Sequence, residues 1–139
     1  MIQLEHINLV VKNMEETLDF YRAAFPQWSV RGNGFDHWYG VPRQWLHFGD
    51  DYQYLAFSDN GQGENRNLES HNLGLAHFAF VTTNLDALIT RLSAAGYEVG
   101  KVGAENPFRK NSYFIDPNGY EVEFVEYLSD LPTQRNDYE

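Results

Sequence analysis

The chain repeats itself, and the repeat limits what it can fold into. Leu4-Glu5-His6-Ile7-Asn8-Leu9-Val10-Val11 returns as Leu75-Ala76-His77-Phe78-Ala79-Phe80-Val81-Thr82. At an offset of 71 residues, His6 falls on His77, Leu4 on Leu75, Val10 on Val81, Asn13 on Asn84 and Ala23-Ala24 on Ala94-Ala95. Each copy reads as a strand, an Asn helix cap and an amphipathic helix, which makes the chain a tandem pair of modules. A single strand histidine is most often satisfied by backbone or water. Two at equivalent places in a repeat point to a shared location, and imidazoles that meet in an interior most often share a metal ion.

In the first copy, residues 2–11 read as a buried strand and Asn13 as a helix N-cap, with Glu15 and Glu16 in the favourable first turn. Met14, Leu18, Tyr21 and Phe25 form one apolar helix face that ends at Pro26. Short strands are expected at Trp28–Arg31, Trp45–Gly49 and Tyr52–Ser58, with turns at Gly32-Asn33-Gly34 and Asp50-Asp51. Gly, Asn, Ser and charged residues then mark a linker. The second copy gives a strand over 74–82 and a helix from Asn84 through Leu85, Leu88, Ile89 and Leu92 to a Gly96 stop. Strands follow near Tyr97–Lys101, Ser112–Asp116 and Tyr120–Tyr127, the last two joined by the Asp116-Pro117-Asn118-Gly119 hairpin turn. Each half is a βαβββ unit, so the fold class is α+β. The domain comprises module one at 2–58, a linker at 59–73, module two at 74–127 and a polar tail at 128–139.

With 139 residues, 42% of them hydrophobic, the chain has enough apolar surface for a core. The absence of cysteine excludes disulfides, thiolate metal sites and cysteine nucleophiles. A formal net charge of −10 argues against nucleic acid and anionic membranes as partners, since both need a basic face. No apolar run reaches the roughly 18 residues of a membrane helix, and the start lacks the pattern of a signal peptide. The expected location is the cytoplasm and the expected partner a small molecule.

Alternation places His6, Asn8 and Val10 on one strand face and Ile7, Leu9 and Val11 on the other. His77, Ala79 and Val81 likewise oppose Phe78, Phe80 and Thr82. The histidine faces are small or polar, as a cavity lining would be, and the opposite faces are bulky and apolar. In the last strand Glu121 and Glu123 share a face. A strand-interior Glu is costly to bury unless it is paired or bound to metal. Glu121, beside the turn, reads as solvated, and Glu123, one step deeper, as the better ligand.

These residues, together with Asp-Pro-x-Gly-x-x-[Ile/Val]-Glu at 116–123, resemble the vicinal oxygen chelate superfamily. That group includes glyoxalase I, type I extradiol dioxygenases, fosfomycin-modifying enzymes, methylmalonyl-CoA epimerase and bleomycin-binding proteins. The resemblance runs from about Leu4 to Tyr127. It implies paired βαβββ modules forming a cupped, mostly antiparallel mixed sheet with helices outside, and a divalent metal (Fe, Zn, Mn or Ni) held by His6, His77 and Glu123. Glyoxalase I has a fourth ligand, a Glu in the last strand of module one. The slot here is assigned to Tyr54, or Gln53 if the register slips, and neither is a carboxylate. The remaining two-His, one-carboxylate set leaves positions open for substrate.

Tyr113, ten residues before Glu123, matches a tyrosine that contacts substrate in related enzymes and is the candidate catalytic acid or donor. The same spacing also suits a core aromatic. Asn8, Tyr54 and His47 are candidate substrate contacts on the module-one face, where Trp28, Trp38, Trp45 and Tyr52 add aromatic surface. Lys110, beside Arg109, is a candidate for an anionic substrate group, as is Arg135 if the tail folds back. His37 reads as rim or loop, and His71 lies in the linker. The resemblance thus implies a metal-dependent lyase or dioxygenase acting on a small oxygenated substrate, and a homodimer. The alternatives are a bleomycin-resistance-type binding protein without catalysis and a fosfomycin-type thiol transferase.

Overall fold

Alternation in the first strand sets the layers of the first half. In the computed structural model, which describes residues 1–139, the chain divides into two units, 1–64 and 65–139. In unit one, β1 (His6–Val10) turns Leu9 inward to the core, followed by buried Val11, and leaves His6, Asn8 and Val10 on the open face. Asn13 Oδ1 accepts from the Glu16 amide at 2.9 Å and starts α1 (Met14–Ala24). The helix buries Met14, Leu18, Phe20 and Tyr21. β2 (Ser29–Trp38), β3 (Val41–Gly49) and β4 (Tyr54–Ser58) complete a mixed sheet ordered β1-β4-β3-β2, with β1 parallel to β4 and the remaining pairs antiparallel. Phe48, Leu55 and Phe57 fill the core, where truncating one such ring to alanine costs about 3–5 kcal/mol.

Two features of unit one differ from the sequence reading. β2 runs on to Trp38 in place of a short strand and a Gly32-Asn33-Gly34 turn, with only a register shift between Val30 and Gly32. The glycines serve packing: a Cβ on Gly34 would lie 2.8 Å from the Trp45 indole nitrogen, so the bare backbone makes room for the ring. The turn is instead at Tyr39-Gly40, both with positive φ, as a tight hairpin requires. The first strand also pairs over His6–Val10 rather than 2–11, and Met1, Ile2 and Leu4 are exposed.

Unit two repeats the order with β5 (Phe78–Val81), α2 (Leu85–Ala94), β6 (Lys101–Val102), β7 (Arg109–Ile115) and β8 (Glu121–Tyr127). Its sheet runs β5-β8-β7-β6, with β5 and β8 parallel. The two four-stranded mixed sheets are separately hydrogen-bonded. Asn84 Oδ1 caps α2 through the Ala87 amide, and Gly96 follows at φ +94°. Glu126 Oε1 also accepts from the Leu85 amide at 2.7 Å, placing a carboxylate at the positive end of the helix. Phe78, Leu88, Leu92, Phe114, Val122 and Phe124 form the core. The Asp116–Gly119 turn closes with Gly119 donating to the Asp116 carbonyl at 3.0 Å, while Asp116 Oδ1 accepts from the Asn118 and Tyr120 amides. β6 is only two residues long and lies later than the expected Tyr97–Lys101 strand. The tail forms a short turn of helix, α3 (Pro132–Arg135).

Candidate functional site

Glu123 anchors a polar cluster on the open face of the unit-two sheet. In β8, Val122 and Phe124 are fully buried, so the alternate residues Glu121 and Glu123 emerge on the opposite face. β5 pairs in parallel with β8, Ala79 opposite Glu123, and this brings His77 to the same face. His77 Nε2 lies 3.1 Å from Glu123 Oε2, and His77 Nδ1 lies 3.9 Å from Glu121 Oε1. β7 places Tyr113 directly opposite Glu123. The Tyr113 ring meets His77 edge to face, with centroids 5.4 Å apart and planes at 87°.

Asn111, two residues before Tyr113, donates from Nδ2 to Glu123 Oε1 at 2.8 Å and to the Tyr113 hydroxyl at 3.4 Å. Lys101 lies opposite Tyr113 from β6, its ammonium 4.6 Å over the ring and 3.2 Å from Glu121 Oε1. Burial holds the Tyr113 phenol above its ordinary pKa, and the Glu123 carboxylate adds to the effect by charge and hydrogen bond. The phenol is therefore a protonated donor at neutral pH.

Unit one presents a ladder of rings. His6 stacks on Tyr54 at 4.6 Å and 10°, and Tyr54 on His47 at 4.5 Å and 25°. Trp45 lies 5.2 Å from His47, and the Arg31 guanidinium sits 4.4 Å over Tyr54. Glu5 Oε1 is 2.9 Å from His6 Nδ1, an orienting contact that leaves Nε2 as the ring's nitrogen for a ligand. Partial burial lowers the His47 pKa, with the His6 and Arg31 charges acting in the same sense. Asn8 shares the exposed His6 face and pairs with Ala56.

The donor set can be tested for a metal on geometry alone. Two atoms each about 2.1 Å from one ion and at right angles about it lie about 3 Å apart. His77 Nε2 and Glu123 Oε2 meet that condition, and nitrogen and oxygen donors without sulfur suit a divalent Fe, Mn, Zn or Ni ion. In neither unit is a group of three or more His, Asp or Glu side chains gathered at metal-holding distance. The spacing of this pair in unit two is compatible with two donors of one divalent ion.

Several sequence assignments change. Ala79 pairs with Glu123 while its repeat counterpart Asn8 pairs with Ala56, so the module-one slot equivalent to Glu123 is Ala56, not Tyr54 or Gln53. Tyr54, opposite His6, is one pleat away. The slot still lacks a carboxylate. Glu121 is not solvated: its side chain is 12% exposed against 13% for Glu123, because Lys101 and His77 both approach it. Lys110 is not on the Tyr113 face. It alternates with Asn111, and its ammonium lies 3.2 Å from Asp86 and 4.0 Å from Glu126. Arg109 donates to the Arg135 and Asp137 carbonyls, and the Arg135 guanidinium sits 4.1 Å over Tyr127, so the folded-back tail occupies both. A groove of about 750 Å³ in unit two, lined by Leu85, Ile89, Asn106 and Lys110 among others, contains neither His77 nor Glu123.

Sequence pattern alone does not mark Asn111, Lys101, Glu5 or Arg31. Asn111 was accessible from its two-residue spacing to Tyr113. Lys101 was not, because a two-residue strand carries too little pattern to fix its register.

The comparisons with known proteins agree with this architecture. The family model described as the Glyoxalase/Bleomycin resistance protein/Dioxygenase superfamily matches residues 3–124, and the chain belongs to that superfamily. A glyoxalase family protein from Enterococcus faecalis superposes with a TM-score of 0.70 at 22% identity, covering 89% of this chain and 97% of that one. A mutant of the fosfomycin resistance protein FosX from Listeria monocytogenes, complexed with Mn(II) and 1S,2S-dihydroxypropylphosphonic acid, superposes at 0.68 with 21% identity over 99% of this chain and 100% of that one. TnmS3, an antibiotic binding protein from Streptomyces sp. CB03234, gives 0.63 at 18% identity over 91% and 97%. At these identities the likeness is one of fold. No curated protein matches the chain.

Proposed function

We propose that this chain is a metal-dependent enzyme that acts on a small oxygenated molecule, with His6, His77 and Glu123 as ligands of a divalent cation. The observation that carries the reading is the 3.1 Å approach of His77 Nε2 to Glu123 Oε2 with the Tyr113 ring against the imidazole. When bound, the ion supplies Lewis acidity toward two adjacent substrate oxygens, and iron adds dioxygen activation. Ala56 offers no ligand, so three protein donors leave positions for substrate. Tyr113, protonated, donates a hydrogen bond to substrate or serves as an acid. Lys101 lies on the same face, its ammonium paired with Glu121 and over the Tyr113 ring, and offsets part of the negative charge of the two carboxylates. Mn(II) bound to FosX is consistent with a cation of this class.

A second reading has its own support. The His6–Tyr54–His47 stack, with the Arg31 guanidinium against Tyr54, is an aromatic, partly cationic wall, which suits aromatic organic ligands held without chemistry. TnmS3, an antibiotic binding protein of the same fold, is the relevant analogy. Metal analysis of purified protein, followed by anaerobic Fe(II) reconstitution and a screen of catechols and other vicinal oxygen compounds, separates the two. The enzyme reading expects stoichiometric metal that is lost in His77→Ala with the fold retained. Tight ligand binding without metal or turnover would favour the binding protein.

A further inference from the structure

We propose that Asn111 is a positioning residue for the Glu123 carboxylate and that Gly103 exists as glycine to make room for it; the metal-affinity part of this rests on the proposed His77–Glu123 site. The Asn111 side chain spans the two groups that flank His77. Its Nδ2 donates to Glu123 Oε1 at 2.8 Å and to the Tyr113 hydroxyl at 3.4 Å. Only the amide nitrogen can donate to a carboxylate, so this contact also fixes which way the amide faces. With Oε1 engaged, Glu123 turns its other oxygen, Oε2, to His77 Nε2 at 3.1 Å. A carboxylate held at one oxygen offers a ligand through the other, and its rotation is restricted before any ion arrives.

Gly103 supplies the space. It continues the β6–β7 pairing beyond Val102–Ser112, and its amide donates to the Asn111 carbonyl at 3.2 Å. A Cβ built on Gly103 would overlap Oδ1, Cγ and Nδ2 of Asn111, so the amide group lies directly over the glycine. Gly103 is not among the positive-φ glycines, so the backbone does not require glycine there. The requirement comes from the side chain of Asn111. Any larger residue at 103 must displace that amide or the backbone of residue 103, and we expect the amide to yield and loosen its hold on Glu123.

The test is a pair of variants and their combination, Asn111→Leu, Gly103→Ala and the double variant, assayed for Mn(II) affinity by isothermal titration and for the metal-free crystal structure. Asn111→Leu keeps the branched skeleton, at somewhat larger volume, and removes the donor. We expect it to weaken Mn(II) binding about 10–100-fold, the usual effect of losing a group that orients a ligand. Gly103→Ala should weaken binding in the same direction, and adding it to Asn111→Leu should produce little further loss because both act through one contact. In metal-free crystals, Oε2 should leave His77 Nε2 in Asn111→Leu. Unchanged affinity with an unmoved carboxylate would overturn the proposal, as would losses that multiply in the double variant. If wild type binds no Mn(II), the metal reading fails, and the metal-free crystals still decide whether Asn111 positions Glu123. Should Gly103→Ala not fold, Asn111→Leu decides alone.

Discussion

At the residue scale, Tyr113 and His47 show how placement sets chemistry. Tyr113 lies on the polar face with Glu123 and His77, and burial beside a carboxylate keeps its proton on. Tyr113→Phe removes a donor but no ligand. Turnover of an identified substrate should therefore fall much more than Mn(II) affinity, by about 10²–10⁴-fold as is typical of acid–base groups, read from kcat beside a titration. Equal losses in both would assign the phenol to metal holding or to structure. His47 has its folded pKa depressed by partial burial among rings and nearby positive groups. The native state then binds this proton less readily than the unfolded chain does. Its contribution to stability is complete above the unfolded value of about 6.5 and is lost as pH falls from there through the folded pKa. His47→Gln should lose less thermal stability than wild type over that interval, measured by melting at a series of pH values. Parallel curves would mean that the ring stack leaves the titration of His47 without consequence for folding.

At the scale of elements, the carboxylate of Glu126 does something period-two reading does not suggest. It sits on the helix side of β8 and accepts from the first amide of α2. Replacing it with alanine removes a charge-assisted bond and a favourable dipole contact, an expected cost of about 1.5–3 kcal/mol by urea denaturation. A change near zero would mean that Asn84 suffices as a cap. The elements whose pattern is local were legible in the sequence: the two Asn-capped helices, the alternation of β1 and β8, and the Asp116–Gly119 turn. Those decided by partners were not. β2 is longer than expected because Gly34 lets Trp45 pack over the strand, an economy of space invisible without its neighbour. The module-one counterpart of Glu123 moved from Tyr54 to Ala56 because a parallel register is set by pairing and not by loop length. The sequence supplies the residue types proposed for the site, whereas the contacts of Asn111 with Glu123 and of Lys101 with Glu121 depend on the β6–β7–β8 pairing.

At the scale of the whole molecule, the repeat yields two sheets, each with two outer strands, β1 and β2 in one and β5 and β6 in the other. Exposed strand edges favour pairing with another surface, and a homodimer is the assembly proposed for this chain. Light scattering across micromolar concentrations should report twice the 16.1 kDa chain mass, and a monomer throughout would refute it. The central claim is that the repeated histidines and Glu123 hold one divalent ion. Anomalous diffraction from crystals grown with Mn(II) tests it most directly. The account predicts one strong peak with His6, His77 and Glu123 donor atoms at about 2.0–2.2 Å. A peak that lacks any of the three, or no peak at saturating Mn(II), would contradict it.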